Sequence, residues 1–148
     1  MTDAYDTPLT AADVAVGDTG PTLVIDDVDR VDFARYAGAS GDFNRLHVDE
    51  PYAKEAGNPS VFGHGMLTAG FATHFVTDWL GLENVTRFRT RFTDRVWPGD
   101  TLEVEGEVTE KYDEGDETFV EIEFAVTNER GDPVVTGDAT ASLPPSVD

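Results

Sequence analysis

The chain has 148 residues, enough for one ordinary domain with a sizeable core, so residues 1–148 are read as a single unit with an irregular arm at 1–20 and a tail at 144–148. Thirty acidic residues against ten basic ones give a net charge of -20, which excludes nucleic acid and anionic membranes as expected partners because their phosphates would be repelled. The absence of cysteine excludes disulfides, thiolate metal sites and a cysteine nucleophile.

The charge also has a character. Lys54 and Lys111 are the only lysines, eight of the ten bases are arginine and eighteen of the thirty acids are aspartate. That balance is expected of a halophilic protein, since in concentrated salt a Debye length of about 3 Å at 1 M screens the self-repulsion. A hydrophobic content of 39% with nine phenylalanines argues against disorder. Met1 to Asp6 has neither the basic start nor the apolar stretch of a signal peptide, and no run of about eighteen apolar residues occurs. A soluble cytoplasmic protein is expected.

In chain order, Thr22 to Ile25 reads as a first short strand. From Asp29, a capping residue, Val31, Ala34, Tyr36 and Ala37 recur at helical spacing up to about Gly38. Gly41 to Ser60, with its glycine, asparagine and prolines, reads as a long connection, the kind that usually carries function. Met66 to Leu80 is apolar on nearly every side, which predicts a central helix wrapped all round, with Gly81 as its stop. His74, within it, reads as a core histidine.

Three segments then alternate with period two, and their apolar residues fall on even numbers. These are Phe88, Phe92 and Val96; Leu102, Val104 and Val108; and Val120, Ile122, Phe124 and Val126. The odd positions are mostly charged, so one face of an antiparallel sheet is buried and the other is wet. Turn residues at Pro98-Gly99-Asp100, Asp113 to Asp116 and Arg130 to Pro133 separate the strands, and a last strand runs from Val134 to about Leu143. The expected class is α+β, a sheet curling around one apolar helix.

Chemistry concentrates in Gly41-Asp42-Phe43-Asn44-Arg45-Leu46-His47 and in His64-Gly65 at the start of the central helix. Five residues apart on a regular helix, Asp42 and His47 would face away from each other, but glycine and asparagine favour a bent loop on which both can hold one water. A carboxylate beside an imidazole supplies a proton acceptor and a proton donor near neutral pH, as addition of water to a polarised double bond requires. The free N–H of Gly65, at a helix amino terminus and without a Cβ in the way, is the expected donor to a carbonyl oxygen.

At these residues the chain resembles the MaoC-like, or (R)-specific enoyl-CoA hydratase, family, whose motif runs Gly-Asp-x-Asn-Pro-x-His and is followed by a His-Gly opening the central helix. The resemblance spans roughly residues 22 to 143 in the order of elements. It implies a hot-dog fold, a homodimer, and hydration of a trans-2-enoyl thioester to an (R)-3-hydroxyacyl thioester, a step used in storage-polyester supply and fatty-acid metabolism. Carried over by position, Asp42 and His47 become the catalytic pair, with Asp42 favoured as base and His47 as acid, and Gly65 becomes the oxyanion donor. Asn44 braces the loop or contacts substrate, and Phe62, His64, Arg89 and Arg91 join it as expected substrate contacts. Two departures stand out: Arg45 replaces the family's proline, which would loosen the loop, and Gly63 replaces a larger apolar residue, which would widen the entrance.

Other readings of the same residues stay open. Asp42 and Asn44 also suit simple turns, and His64 suits a structural residue satisfying backbone groups at the helix start. Thr73 can bond either Asp42 or its own helix. Arg87, Arg89, Arg91 and Arg95 can meet the phosphates of coenzyme A or pair across the sheet with Glu103, Glu105 and Glu107. No metal-ligand spacing is recognised, so no metal is expected, nor any cofactor beyond the coenzyme A carried by the substrate. A hot-dog acyl-CoA thioesterase and a non-catalytic acyl-CoA-binding module are the rival functions.

Overall fold

A computed structural model describes residues 9–146, so the first eight residues of the expected arm and the last two of the tail lie outside the described residues. Five strands form one antiparallel sheet: β1 (Leu23–Val28), β2 (Val85–Phe92), β3 (Asp100–Glu114), β4 (Glu117–Asn128) and β5 (Pro133–Leu143), in the spatial order β1-β3-β4-β5-β2. The helices are α1 (Arg30–Ser40), α2 (Arg45–Val48), α3 (Glu50–Glu55) and α4 (Gly65–Leu80). Short 3-10 turns lie at Ala11–Asp13 and Leu82–Asn84.

The even-numbered apolar residues of β3 and β4 all face inward and are buried, as their alternation requires. Register aligns Val108, Ile122, Ala139 and Phe88 in one row across four strands beneath α4. The next row contains Gly106, Phe124 and Gly137. A Cβ on Gly137 would lie 2.2 Å from the Arg89 carbonyl oxygen and 2.4 Å from Phe124 Cζ, and one on Gly106 would lie 3.0 Å from Phe75 Cε1 of α4. The missing side chains therefore let Phe75 of α4 rest on Gly106 and the Phe124 ring lie across Gly137.

α4 buries Thr68, Ala69, Ala72, Phe75, Val76, Trp79 and Leu80, but the expected wrapping is one-sided. Met66, at 60% exposure, shares the open stripe with Gly70, Thr73 and His74. Five strands of this curvature cover only one side of a helix. His74 is accordingly no core residue; it is exposed and pairs with Asp78 one turn on, at 2.9 Å. Thr73 bonds its own helix, at the Ala69 carbonyl, at 2.9 Å.

Three more expectations change. Asp29 caps α1 through Val31 N and Asp32 N, yet that helix buries Phe33 and Ala37, leaving Val31 and Ala34 exposed. The stretch from Gly41 to Ser60 is no plain loop, because Asn44 and Asp49 cap the short helices α2 and α3 within it. β2 neighbours β5 alone, so Arg87 and Arg89 pair with Asp138, at 3.5 and 2.7 Å, while Glu103, Glu105 and Glu107 lie three positions across the sheet on β3. No helix among the described residues is long and apolar enough to cross a membrane.

Replacing Gly137 by alanine is expected to destabilise the protein by about 1–3 kcal/mol through overpacking. Gly38→Ala, on the exposed side of α1 with nothing within 4 Å of the new Cβ, is expected to stabilise by about 0.5–1 kcal/mol. Denaturant unfolding in molar salt checks both, and equal effects of the two substitutions would contradict the role of the glycine row.

Candidate active site

The site forms where three chain segments meet at the amino end of α4. α1 ends at Gly41, whose φ of 77° reverses the chain and launches the loop carrying Asp42. The Asp42 carboxylate accepts from Asn44 N at 3.2 Å, and the Asn44 side chain in turn accepts from Leu46 N at 3.0 Å, capping α2. α2 then delivers His47 after one turn, so a bend followed by a helical start brings together residues that a continuous helix would separate.

Arg45, where the family has proline, does not loosen this loop. Its guanidinium bonds Asp49 at 2.8 and 3.1 Å and lies 4.3 Å from the centroid of the Tyr52 ring, tying α2 to α3. Nor does Gly63 widen an entrance. A Cβ there would meet Phe33 Cε1 at 2.9 Å, so the space is filled from α1, while Gly63 N donates to the Val96 carbonyl at 2.8 Å.

His47 Nδ1 donates to the Phe62 carbonyl at 2.6 Å. His64 Nε2 donates to the Asp42 carbonyl at 3.0 Å. An amide carbonyl only accepts, so each bond places the proton of a neutral imidazole on the named nitrogen and leaves a lone pair on the other. The two rings stack with centroids 3.9 Å apart and planes 28° from parallel. One ring nitrogen of each and a carboxylate oxygen of Asp42 lie within 4.8 Å of one another.

Burial is the largest influence on His47 and pushes its pKa below the ordinary 6.5; the bond to Phe62 opposes this, His64 reinforces it, and Asp42 opposes it. These three side chains are also the group best placed to hold a metal ion. Their geometry fits one poorly, because lone pairs lying in nearly parallel ring planes do not converge on a point about 2.0–2.1 Å from both nitrogens.

Gly65 is the first residue of α4, and His64 at the cap makes no side-chain bond to the helix start; Leu67 N turns back to the His64 carbonyl at 3.1 Å, and the N–H groups of Gly65 and Met66 have no partner among the described residues. Phe92, at 51% exposure rather than buried as its even number suggested, lies against Gly65, 3.0 Å from where a Cβ would stand. Pairing of β2 with β5 ends at Phe92, beside the first turn of α4.

Asp42, His47, His64, Gly65, Asn44 and Phe62 thus share one neighbourhood. Within it His64 is 1% exposed, with its ring stacked on that of His47. Asn44 braces the loop, and Phe62 contributes its carbonyl and a ring edge-on to His47 at 5.2 Å. Arg89 and Arg91 are elsewhere. They line a separate groove of about 830 Å³ with Glu105, Glu107, Glu123 and Asp138, and Arg89 is spent on Asp138.

The sequence reading names Arg95 with Arg87, Arg89 and Arg91 but takes Arg89 and Arg91 as the substrate contacts. Arg95 lies 5.1 Å from the centroid of Phe62, and its membership of the arginine cluster was the available signal. The roles of the Phe62 carbonyl, of Tyr36 edge-on to His64 at 4.8 Å, and of Trp97 edge-on to Phe62 at 5.9 Å had none.

A family model described as MaoC like domain matches residues 8–130. Over 138 residues, 91% of this chain, the sequence is 33% identical to peroxisomal multifunctional enzyme type 2 of Mus musculus. The chain spans 18% of that relative's length and no more than 24% of the next three curated relatives. Among solved structures, unliganded R-hydratase PhaJ1 from Pseudomonas aeruginosa is similar with a TM-score of 0.80 and 29% identity, covering 94% of this chain and 88% of that one. The (R)-hydratase from A. caviae involved in PHA biosynthesis is similar with a TM-score of 0.80 and 27% identity, covering 90% of this chain and all of that one.

Because burial disfavours the imidazolium, His47 stays neutral as pH falls until its depressed pKa is passed. Proton NMR of its Cε1–H in molar salt is expected to give a midpoint below 6.5, and a midpoint above that value would contradict the burial described here.

Proposed function

The chain belongs to the MaoC-like dehydratase family, and from that premise we propose that it adds water to a trans-2-enoyl thioester of coenzyme A, giving the (R)-3-hydroxyacyl thioester. The observation that carries this reading is the neighbourhood of one carboxylate and one imidazole with a fixed lone pair beside unpartnered N–H groups of α4.

The reaction follows from those atoms. The thioester carbonyl accepts from the Gly65 N–H, drawing electrons from C3. A water held by Asp42 and His47 attacks C3, and His47 Nε2 takes its proton. Charge that collects on the carbonyl oxygen is stabilised by the same N–H, an effect of about 2.7–4 kcal/mol. The imidazolium then returns the proton to C2, so hydroxyl and hydrogen add across the double bond and His47 ends as it began.

This assigns the base to His47, not to Asp42 as its sequence position suggested. With Nδ1 committed to Phe62, a neutral His47 has no proton to give from the other nitrogen, and imidazole matches proton removal near neutral pH better than a carboxylate does. Burial that lowers the pKa also makes the imidazolium the stronger acid for the return step. Asp42 orients the water and stabilises the charged ring.

Arg95, over the ring of Phe62, is a cation available beside this site for an anionic substrate. A net charge of -20 repels acidic carrier proteins, which favours coenzyme A as the thiol carrier and molar salt as the working medium. The open stripe of α4 and the unpaired edge of β2 suit cover by a second copy of the chain, a homodimer.

Crotonyl-CoA offered to the purified protein in molar salt is expected to lose its enoyl absorbance without releasing thiol, and chiral analysis to return the (R) product. Asp42→Asn and His47→Gln are each expected to lower kcat/KM by about a hundred- to ten-thousand-fold while binding ligand. Thiol release would replace the hydratase by a thioesterase, and wild-type behaviour of both variants would remove the catalytic pair.

A further inference from the structure

His64 is the titratable side chain of the site that the reaction leaves unused. It occupies the cap position of α4, where serine, threonine, aspartate or asparagine would bond the helix start, and makes no such bond. Its Nδ1 is buried and has no hydrogen-bond partner among the described residues. A residue kept only to finish the helix would do neither, since a buried polar atom without a partner is destabilising.

What His64 does is touch both members of the reacting pair. Its edge donates to the Asp42 carbonyl at 3.0 Å, its face stacks on His47 at 3.9 Å, and Tyr36 holds it from behind. Its own carboxyl side continues directly into Gly65. Resting on the reading of Asp42 and His47 as the pair that handles water, we propose that His64 is a positioning residue that registers Asp42, His47 and the Gly65 N–H against one another.

Two physical consequences separate this role from simple filling of space. Loss of the Nε2–H donor releases the backbone of Asp42 and blurs the site where water sits, which affects turnover more than binding. A second proton taken up by His64 would also oppose a charge on His47, because two imidazolium rings in contact repel. The other groups facing His47 are Asp42 on the loop after α1, which favours its charge, and Arg95 beyond Phe62; Tyr36 of α1 meets His64.

Two variants divide the ring from the donor. His64→Phe keeps a flat ring against His47 and removes the donor to Asp42, while His64→Gln keeps an amide donor and removes the ring. On crotonyl-CoA, His64→Phe is expected to lower kcat about tenfold or more with KM changed less than about threefold, and His64→Gln to recover part of that loss. The NMR midpoint of His47 is expected to rise in both, since neither a phenyl ring nor an amide can take up a proton that opposes the charge on His47.

An unchanged His47 midpoint in both variants, with thermal stability alone reduced, would overturn the proposal. The NMR midpoint needs no turnover, so it stays readable in a variant that has lost activity. A wild-type protein inactive on crotonyl-CoA would count against the assigned reaction while the effect of His64 on His47 stayed readable.

Discussion

Two backbone carbonyls govern the proton arrangement of this molecule. Phe62 takes the Nδ1 hydrogen of His47, and Asp42 takes the Nε2 hydrogen of His64. Neither carbonyl has a proton to offer in return, so the lone pairs of both rings are committed to one nitrogen each. The acid–base chemistry proposed for the site depends on that commitment, because it decides whether His47 would meet water as a base or as an acid.

The fold exists around this arrangement in a specific way. The sheet packs against one side of α4, with Phe75 resting on Gly106 in the row of Gly106, Phe124 and Gly137. Gly63 is held by Val96 and by the ring of Phe33, so the segment entering α4 is clamped from the sheet side and the α1 side together. The stacked histidines then join that segment to the Asp42 loop. A shift in any of the three would move the lone pair of His47 relative to the Gly65 N–H, and reactions of this kind tolerate little displacement.

Much of this was legible before any coordinates. The even-numbered rows of β3 and β4 turned out buried because period-two alternation is a direct record of which face meets the core. Asp42, His47 and the His64-Gly65 pair could be singled out because their residue types suit the chemistry themselves, and the structure brings Asp42, His47 and His64 together. What stayed hidden depends on pairing across long separations. Arg89 meets Asp138 because β2 joins β5, a neighbour that no pattern within a single strand reveals. The one-sided burial of α4, which leaves His74 in the open, is set by how far five strands curl. The part played by Phe62 is invisible for a simpler reason: every residue has a carbonyl, and only the fold says which one a histidine reaches.

Two-bond proton–nitrogen correlation spectra of the 15N-labelled protein near neutral pH test the central claim most directly, because they read which ring nitrogen carries the proton. Protons on Nδ1 of His47 and on Nε2 of His64 are the predicted result. A His47 that carries its proton on Nε2 instead would contradict the account, since it would present water with a donor where a base is required.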